Sequence, residues 1–264
     1  MCLFCNASRR GFLKYSAAAA AGLAALPRRS LAATRNRPRI VLDPGHGGKD
    51  PGTIAPDGYF EKTIALATGL DLYRALNETG RYDVHMTRWT DTFITLDDRV
   101  KIAQDREADL FMSMHCDHLP EADIRGASIF TLSNKASDRL AAGLAQEENS
   151  VDNTPGSLRG TSPQVAGILA SLETRATKLN SATFQSDLYN ALSNNVPLLP
   201  NPERSANFAV LRDPSVPSVL LEMGCLSDPR DEHRLRNLEQ RRVLVTKLCD
   251  AIGTYFTRTS GYPT

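Results

Sequence analysis

Residues 39–48 read Arg-Ile-Val-Leu-Asp-Pro-Gly-His-Gly-Gly, an apolar run that ends in a glycine-rich turn. An apolar run bounded by glycine and proline predicts a buried strand over residues 39–43. Strand and helix patterns alternate after it. The predicted strands are 83–87, 110–114, 127–132, 208–211 and 218–222, and the predicted helices are 61–78, 96–106, 137–149 and 229–256. This alternation favours an α/β fold, with a twisted, mostly parallel sheet of about six strands and helices on both faces.

Residues 146–204 interrupt the alternation. After a polar segment, a helical pattern covers residues 163–192, and Pro197, Pro200 and Pro202 then break the chain. The pattern predicts a helical insertion before the last two strands. An insertion of this length is either ordinary packing or a lid over the functional site, and the sequence leaves both open.

The composition describes two unlike parts of the chain. It has 264 residues, 41% hydrophobic and 23% charged, which suits a globular protein of one domain with an insertion. The net charge is +1, but residues 1–33 contain five positive residues and no acidic ones. Residues 34–264 therefore hold 26 positive against 30 acidic residues, a net charge of −4. This charge gives no support to nucleic acid or an anionic membrane as a partner.

The acid-free start has the layout of an export signal. Residues 8–14 read Ser-Arg-Arg-Gly-Phe-Leu-Lys, and a short run of small apolar residues follows. This order is typical of a cleaved signal peptide, and the paired arginines resemble a twin-arginine leader. An amphipathic helix or a disordered terminus is the alternative. We therefore expect residues 1–33 to be a signal peptide read by the twin-arginine export machinery. Residues 34–264 would then act in the periplasm without stable membrane insertion.

Two histidines and two carboxylates stand at the ends of predicted elements. His46 lies in the turn after the first strand, and His115 follows the third strand. Glu61 begins the first helix, and Glu222 ends the last strand. Functional groups in α/β sheets gather at the carboxyl ends of the strands. Two histidines with one carboxylate can hold a zinc ion with an open position, which suits hydrolysis, and a further carboxylate can move the proton.

Each of these residues also has a purely structural interpretation. His46 could be a hydrogen-bonded loop residue, His115 a satisfied core histidine, and Glu61 a favourable charge at a helix N-terminus. Glu222 follows three apolar residues, and an unpaired carboxylate buried there would be costly without a function. The sequence has no compact HExxH pattern, so spacing alone does not decide between a zinc site and ordinary packing.

Five motifs in order resemble the zinc-dependent N-acetylmuramoyl-L-alanine amidases of the AmiC type. They are Ile-Val-Leu-Asp-Pro-Gly-His-Gly-Gly-Lys-Asp-Pro-Gly at 40–52, Glu-Lys at 61–62, Met-Thr-Arg at 86–88, Ser-Met-His-Cys-Asp at 113–117 and Pro-Ser-Val-Pro-Ser-Val-Leu-Leu-Glu-Met-Gly at 214–224. The resemblance runs over roughly residues 38–256, nearly all of the expected mature chain. A single His-Gly-Gly would not be specific, but five motifs in this order are.

The resemblance implies that His46, Glu61 and His115 bind one zinc ion and that Glu222 is the catalytic residue. It implies hydrolysis of the amide bond between N-acetylmuramic acid and the L-alanine of the stem peptide of peptidoglycan, in cell-wall turnover and daughter-cell separation. In related amidases with an insertion, a helix blocks the zinc until a divisome-associated activator displaces it. Glu148 resembles the glutamate that caps the metal there, so it is the candidate autoinhibitory ligand; an ordinary helical excursion is the alternative.

Some residues depart from the family pattern or allow another role. Cys116 and Cys225 stand where a small alanine and an aromatic residue are usual. With Cys249 they leave an odd number of cysteines in the expected mature chain, which gives no disulfide framework. His118, three residues after His115, is an alternative zinc ligand, although a position in a loop at the cleft is favoured.

Asp43, Arg88 and Arg99 are further candidate site residues, and two other functions are possible for this sequence. Asp43 could orient a ligand or the glycine-rich turn from behind. Local groups at the site, such as Arg88 or Arg99, are expected to hold the anionic substrate, since the overall charge does not. A zinc peptidase acting on stem peptides or other amides could use the same ligands. A non-catalytic wall-binding or activator protein is the other alternative; it predicts loss of a ligand or of the glutamate, and all four are present.

Overall fold

The computed structural model describes residues 37–119, 124–152 and 167–260, without the side chains of 167–174 and 260. Within these ranges the strands are β1 (Arg39–Pro44), β2 (Asp83–Met86), β3 (Leu110–Asp117), β4 (Ala127–Leu132), β5 (Leu198–Ala206) and β6 (Ser218–Cys225). The helices are α1 (Glu61–Glu78), α2 (Leu96–Asp105), α3 (Arg139–Glu148), α4 (Gly167–Leu192), α5 (Pro229–Arg236) and α6 (Leu238–Ser260), with a 3-10 helix at Ala209–Leu211. The expected signal peptide lies outside the described residues. Among the helices just given, none is both long enough and apolar enough to cross a bilayer.

The strands form one sheet in the order β2-β1-β3-β6-β4-β5. Neighbouring strands are parallel except for β4 and β6, which are antiparallel. Strands β1, β3 and β6 lie inside the sheet and are buried along nearly their whole length, which explains their almost continuous apolar sequence. The prediction of an α/β fold with a mostly parallel sheet of six strands is confirmed.

Side chains of the central strands alternate between two cores, one on each face of the sheet. The first core takes Leu42 and Met112 and is covered by α1, α4 and α6. The second core takes Val41 and Phe111 and is covered by α2, α3 and the 3-10 helix. Toward the carboxyl ends of the strands, the positions that project to the second core are occupied by polar residues. These polar side chains therefore lie together on that face of the sheet.

The strand predicted at residues 208–211 is wrong. This stretch contains the 3-10 helix. The sixth strand of the sheet is instead β5, in a segment where the prolines predict irregular structure. Strand β5 lies at the edge of the sheet, so the missing N–H of a proline leaves no ladder hydrogen bond unmade. Its pairing with β4 also changes register between Ala127 and Ile129, and Pro200 and Pro202 lie among the residues that this change skips.

The helix predicted at residues 229–256 is two helices. Asn237 separates α5 from α6 with an extended backbone (φ −74°, ψ 121°). Its side-chain oxygen accepts a hydrogen bond from the N–H of Gln240 at 3.1 Å, as the N-cap residue of a helix does. A capping asparagine inside a helical pattern looks like any other polar surface residue, so the pattern alone does not reveal the break.

Helix α4 packs against the rest of the domain along residues 175–192, where its side chains are described. Phe184, Leu188 and Leu192 are fully buried in the first core. The helix packs mainly against α6 and β4. The second half of the insertion helix is therefore a structural layer, because its removal would uncover the first core.

Candidate active site

The turn after β1 brings His46 to the carboxyl edge of the sheet. His46 itself has a left-handed backbone (φ 58°), and Gly47 and Gly48 also have positive φ, which glycine adopts without strain. Gly52 lies so close to the site that a Cβ there would be 2.6 Å from a carboxylate oxygen of Glu61 and from the ring of His46. The glycines let the backbone fold tightly around the imidazole.

Four side chains converge at this edge. The Nε2 atom of His46 lies 3.0 Å from Oε1 of Glu61 and 3.0 Å from Nδ1 of His115, and the latter two atoms are 3.1 Å apart. Glu148, at the end of α3, places its carboxylate oxygens 3.7 Å from Nε2 of His46 and 3.2 Å from Nδ1 of His115. One donor atom from each residue lies within 4.8 Å of the others. His118, the alternative ligand, is exposed and does not belong to this group.

The donor set and its spacing fit a zinc ion. A tetrahedral zinc with bonds of about 2.0–2.1 Å keeps its ligand atoms about 3.3 Å apart, close to the spacing of His46, Glu61 and His115. Imidazole nitrogens and carboxylate oxygens are the donors typical of catalytic zinc sites. Glu148 offers a fourth donor, a carboxylate oxygen, to the same group.

Both imidazoles are oriented through the nitrogen that faces away from the cluster. Nδ1 of His46 is hydrogen-bonded to Oδ2 of Asp50 at 2.8 Å. Nε2 of His115 lies 3.2 Å from Oγ of Ser113, and that hydroxyl donates to Oδ2 of Asp43 at 2.7 Å. Such partners fix the ring and the tautomer of a metal-binding histidine. The contact through Ser113 agrees with the orienting role expected for Asp43.

Glu61 is held by two backbone donors in addition to the histidines. Its Oε1 accepts from the N–H of Cys116 and its Oε2 from the N–H of Thr53, both at 2.8 Å. The side chain of Cys116 packs in the first core, on the other face of the sheet. Burial raises the pKa of its thiol well above the usual value, so the thiol stays protonated and does not compete for a metal.

The charges of the cluster favour a cation at its centre. Burial alone would raise the pKa of Glu61, but His46 and the hydrogen bond with His115 outweigh it and lower the pKa. Burial alone would lower the pKa of His46, but Glu61 and Glu148 raise it well above its ordinary value. Two carboxylates between two imidazoles thus stabilise a positive charge, whether a proton or a metal ion.

Glu222 lies next to His115, on the neighbouring strand β6. The two residues are paired directly in the register of β3 and β6. Glu222 is 1% exposed, and its Oε2 atom has no hydrogen-bond partner within the described ranges. Burial, and then the nearby Asp117 and Glu61, raise the pKa of Glu222 well above its ordinary value. A carboxyl group in this setting can hold a proton, as proton transfer requires.

Asp117 is a further buried acid near Glu222. It stands two residues after His115 on β3, projects from the same face, and is 4% exposed. Neither carboxylate oxygen has a partner at hydrogen-bonding geometry among the residues that the structure describes. Burial raises the pKa of Asp117 to about 7, against a weaker opposite effect of the backbone N–H of His118. Glu222 and Asp117 are therefore two buried acids close enough for the charge of one to affect the other.

Hydrogen bonds tie the end of α3 that carries Glu148 to its neighbours. The side-chain oxygen of Asn149 accepts from the N–H of Ala209, in the 3-10 helix, at 2.7 Å. Oδ2 of Asp152 accepts from the N–H of Leu96, at the start of α2, at 2.7 Å. The structure therefore brings Glu148 to the cluster and holds it there through the residues that follow.

A family described as N-acetylmuramoyl-L-alanine amidase matches residues 40–254. The chain belongs to this family. It is 37% identical over 219 residues to the N-acetylmuramoyl-L-alanine amidase AmiA of Escherichia coli (strain K12), covering 82% of this chain and 75% of that protein. It is 35% identical over 220 residues to the N-acetylmuramoyl-L-alanine amidase AmiC of Neisseria meningitidis serogroup B, covering 83% of this chain and 53% of that protein.

Solved structures of amidases have the same fold. The N-acetylmuramyl-L-alanine amidase Ami1 of Mycobacterium smegmatis aligns with a TM-score of 0.63 at 20% identity, over 84% of this chain and 98% of that one. An N-acetylmuramoyl-L-alanine amidase of Clostridium difficile 630 aligns with a TM-score of 0.62 at 23% identity, over 86% of this chain and all of that one. At these identities the likeness shows the fold alone.

The expectation that Arg88 and Arg99 hold the substrate of this amidase is wrong. Both side chains are buried, at 2% and 3% exposure. Arg88 donates to the carbonyl oxygen of Gly45 at 2.7 Å, and Arg99 donates to that of His46 at 2.8 Å. Arg99 also pairs with Oδ1 of Asp43 at 2.6 Å. These guanidinium groups hold the glycine-rich turn from inside the protein.

Three members of the site are absent from the sequence-based predictions, namely Asp50, Ser113 and Asp117. Ser113 and Asp117 stand two residues before and after His115, which is the spacing at which strand residues share a face. Applying that spacing to His115 would have found both. Asp50 belongs to a loop, where no periodic pattern indicates which side chain meets His46.

Proposed function

We propose that this chain is a zinc-dependent amidase of peptidoglycan. It hydrolyses the bond between N-acetylmuramic acid and the L-alanine of the stem peptide, in cell-wall turnover and daughter-cell separation. The observation that carries the proposal is the convergence of one donor atom each from His46, Glu61 and His115 at 3.0–3.1 Å, in a chain of this family. Glu222, paired with His115 on the same face, supports hydrolysis.

The protein side chains have separate tasks in this reaction. Zinc bound by His46, Glu61 and His115 would polarise the scissile carbonyl and lower the pKa of water to about 7. Glu222 takes the proton from the attacking water and then gives it to the leaving nitrogen of L-alanine. The raised pKa of Glu222 suits this role, because the carboxyl group must keep the proton between the two steps. Asp50 keeps His46 in its binding orientation throughout.

We further propose that Glu148 closes the fourth position of the zinc in the resting enzyme. Its oxygens lie within 3.7 Å of the nitrogens of His46 and His115, where a substrate carbonyl would have to bind. The moving part is short, around residues 146–151, because the second half of α4 packs in the first core. A divisome-associated activator protein is the proposed partner that displaces Glu148.

The activity is tested with purified peptidoglycan, product mass spectrometry and zinc analysis. The wild-type enzyme is expected to release intact stem peptides with a free L-alanine amine and to hold about one zinc ion per chain. Glu222→Gln should keep the zinc and lose activity by about 10²–10⁴-fold, because only proton transfer is removed. His115→Ala should lose the zinc as well, and the matched control His118→Ala should keep both.

Two results would contradict this function. Full activity of Glu222→Gln would remove the proposed proton carrier. Cleavage inside the stem peptide, with the bond to N-acetylmuramic acid intact, would favour the zinc peptidase instead.

The resting state is tested with Glu148→Ala. Removal of the fourth ligand should raise basal hydrolysis several-fold, while the zinc stays bound by the other three residues. Glu147→Ala is the matched control, because Glu147 is the exposed neighbour on the same turn of α3. Equal basal rates for the wild type and Glu148→Ala would refute the inhibitory role.

The precursor is proposed to reach the periplasm through the twin-arginine export machinery. Replacement of Arg9 and Arg10 by lysine should leave the precursor uncleaved inside the cell, because this receptor reads the arginine pair. Normal export of the double variant would refute the route and leave the enzymatic proposal untouched.

A further inference from the structure

Ser128 is a buried polar residue next to the proposed proton carrier. It lies in β4, directly opposite Glu222 in the antiparallel pairing of β4 and β6. It is 0% exposed, and its hydroxyl has no hydrogen-bond partner within the described residues. The Oε2 atom of Glu222 is also buried without a partner there. A donor and an acceptor thus stand on neighbouring strands, each unsatisfied.

The register places both side chains on the same face of the sheet. The next pair, Ile129 and Leu221, belongs to the first core, and the pair after it, Phe130 and Leu220, to the second core. Since side chains alternate along a strand, Ser128 and Glu222 project from the face of the second core. That is the face of His115, the neighbour of Glu222 on its other side.

Strand β5, on the far side of β4, offers Ser128 no paired residue. The register of β4 with β5 passes from Ala127 opposite Leu198 to Ile129 opposite Glu203. The change of register falls at Ser128, which is left out of this ladder. Glu222 is therefore its direct cross-strand neighbour, and directly opposed Cβ atoms are about 4.5–5.5 Å apart.

A buried hydroxyl without a partner is costly, and the residues around Ser128 on β4 are apolar. The serine side chain has three staggered rotamers, and a change of rotamer redirects the hydroxyl toward or away from the neighbouring strand. On this basis, and given the proposed function, we infer that Ser128 is a positioning residue for Glu222. Its hydroxyl donates to Oε2 of Glu222 when substrate is bound and fixes the carboxylate toward the scissile bond.

Asp117 explains why Glu222 needs such a donor. It lies on β3, two residues after His115, the residue paired with Glu222, and its carboxyl oxygens have no partner within the described residues. An acidic side chain gives Glu222 no fixed hydrogen-bond donor on that side. A donor on the β4 side, opposite Asp117, gives the Glu222 carboxylate a single preferred orientation.

The inference is tested by steady-state kinetics of the zinc-loaded enzyme. Ser128→Ala should lower kcat about tenfold, the effect of one hydrogen bond to a charged group, and leave KM and the zinc content unchanged. Ser128→Thr keeps the hydroxyl and should restore most of kcat. In the Glu222→Gln background, Ser128→Ala should add no further loss, because the residue acts through Glu222.

Ser218→Ala is the matched control for the loss of a buried hydroxyl. Ser218 is buried at the opposite end of β6, so the control should leave kcat unchanged. If Ser128→Ala has the wild-type kcat while Glu222→Gln is inactive, the role inferred for Ser128 is overturned and the proposed function stands. The same loss with glutamate or glutamine at position 222 would assign Ser128 to packing and also overturn it. Full activity of Glu222→Gln would overturn the proposed mechanism, and this inference with it.

Discussion

Two sides of the same site differ in how well their polar atoms are satisfied. The ligand side consists of the proposed zinc ligands His46, Glu61 and His115 with the residues that hold them, and the acid side of Asp117, Ser128 and Glu222. On the ligand side, the outward-facing nitrogen of each imidazole and both oxygens of Glu61 have partners at 2.8–3.2 Å. On the acid side, the oxygens named above have none within the described residues. The ligand side is therefore held in place before anything binds, and the acid side keeps the unpartnered atoms that the proposed hydrolysis would use.

The largest expected effect comes from breaking the ligand side at Asp43. This carboxylate is fully buried and accepts from Arg99, Thr87 and Ser113 at 2.6–2.7 Å. Asp43→Asn leaves the Arg99 guanidinium buried without its counter-ion, and we expect the free energy of unfolding to fall by about 3–5 kcal/mol at pH 7. Denaturant unfolding measures the change. Asp97→Asn, an exposed aspartate on α2, should change it by less than about 1 kcal/mol.

The stability difference between the wild type and Asp43→Asn should depend on pH. Burial would raise the pKa of Asp43, but Arg99 and the hydrogen bonds from Thr87 and Ser113 outweigh it and hold the pKa below its usual range. The stability from this ionised group is present above about pH 4 and is lost as the pH falls through the lowered pKa. The difference between the wild type and Asp43→Asn should therefore shrink below pH 4. A difference independent of pH would show that the charge is not the cause.

A smaller effect is expected from Asp50, also on the ligand side. Asp50→Ala removes the partner of Nδ1 of His46 and leaves all the proposed zinc ligands in place. Loss of such a partner weakens metal binding by about 10–100-fold. Competition with a zinc chelator measures the affinity, and Asp57→Ala, in an exposed part of the same loop, should match the wild type. Unchanged zinc affinity in Asp50→Ala would mean that the backbone alone orients His46.

The smallest expected effect, with the opposite sign, comes from the acid side. Asp117→Asn replaces a buried carboxyl group whose oxygens have no partner within the described residues and whose charge raises the pKa of Glu222. We expect the metal-free variant to be more stable than the wild type by about 1 kcal/mol at pH 8, while kcat falls. Asp→Asn would thus destabilise one side of the site and stabilise the other. Destabilisation at both positions would remove the distinction between the two sides.

Local patterns predict those parts of the fold that depend on local interactions. The bounds of α1 and β4 agree with the predictions, because each pattern begins and ends at clear signals. Strand β5 is different, since its prolines are acceptable only at the edge of a sheet, and a sequence does not show which strand lies at the edge. The break between α5 and α6 depends on one side-chain cap at Asn237.

The candidate site shows the same division. His46, Glu61 and His115 meet as their motif positions predict, since β1, which precedes His46, and β3, which contains His115, are parallel neighbours. The buried roles of Arg88 and Arg99 depend on carbonyl groups of residues more than 40 positions away in the sequence. No local pattern distinguishes such an arginine from one on the surface. The position of Ser128 opposite Glu222 likewise follows only from the antiparallel register of β4 and β6, which the sequence does not show.

The reversed direction of β4 relative to β6 has a consequence for the electric field at the site. In a parallel strand–helix unit the N-terminus of the helix faces the carboxyl edge of the sheet, and that positive end favours anions. Because β4 runs the other way, α3 returns to this edge with its C-terminus, where Glu148 lies. The negative end of a helix dipole therefore faces the cluster of His46, Glu61 and His115. One antiparallel pair thus brings the negative end of α3 to the edge where α1 already presents its positive end through Glu61.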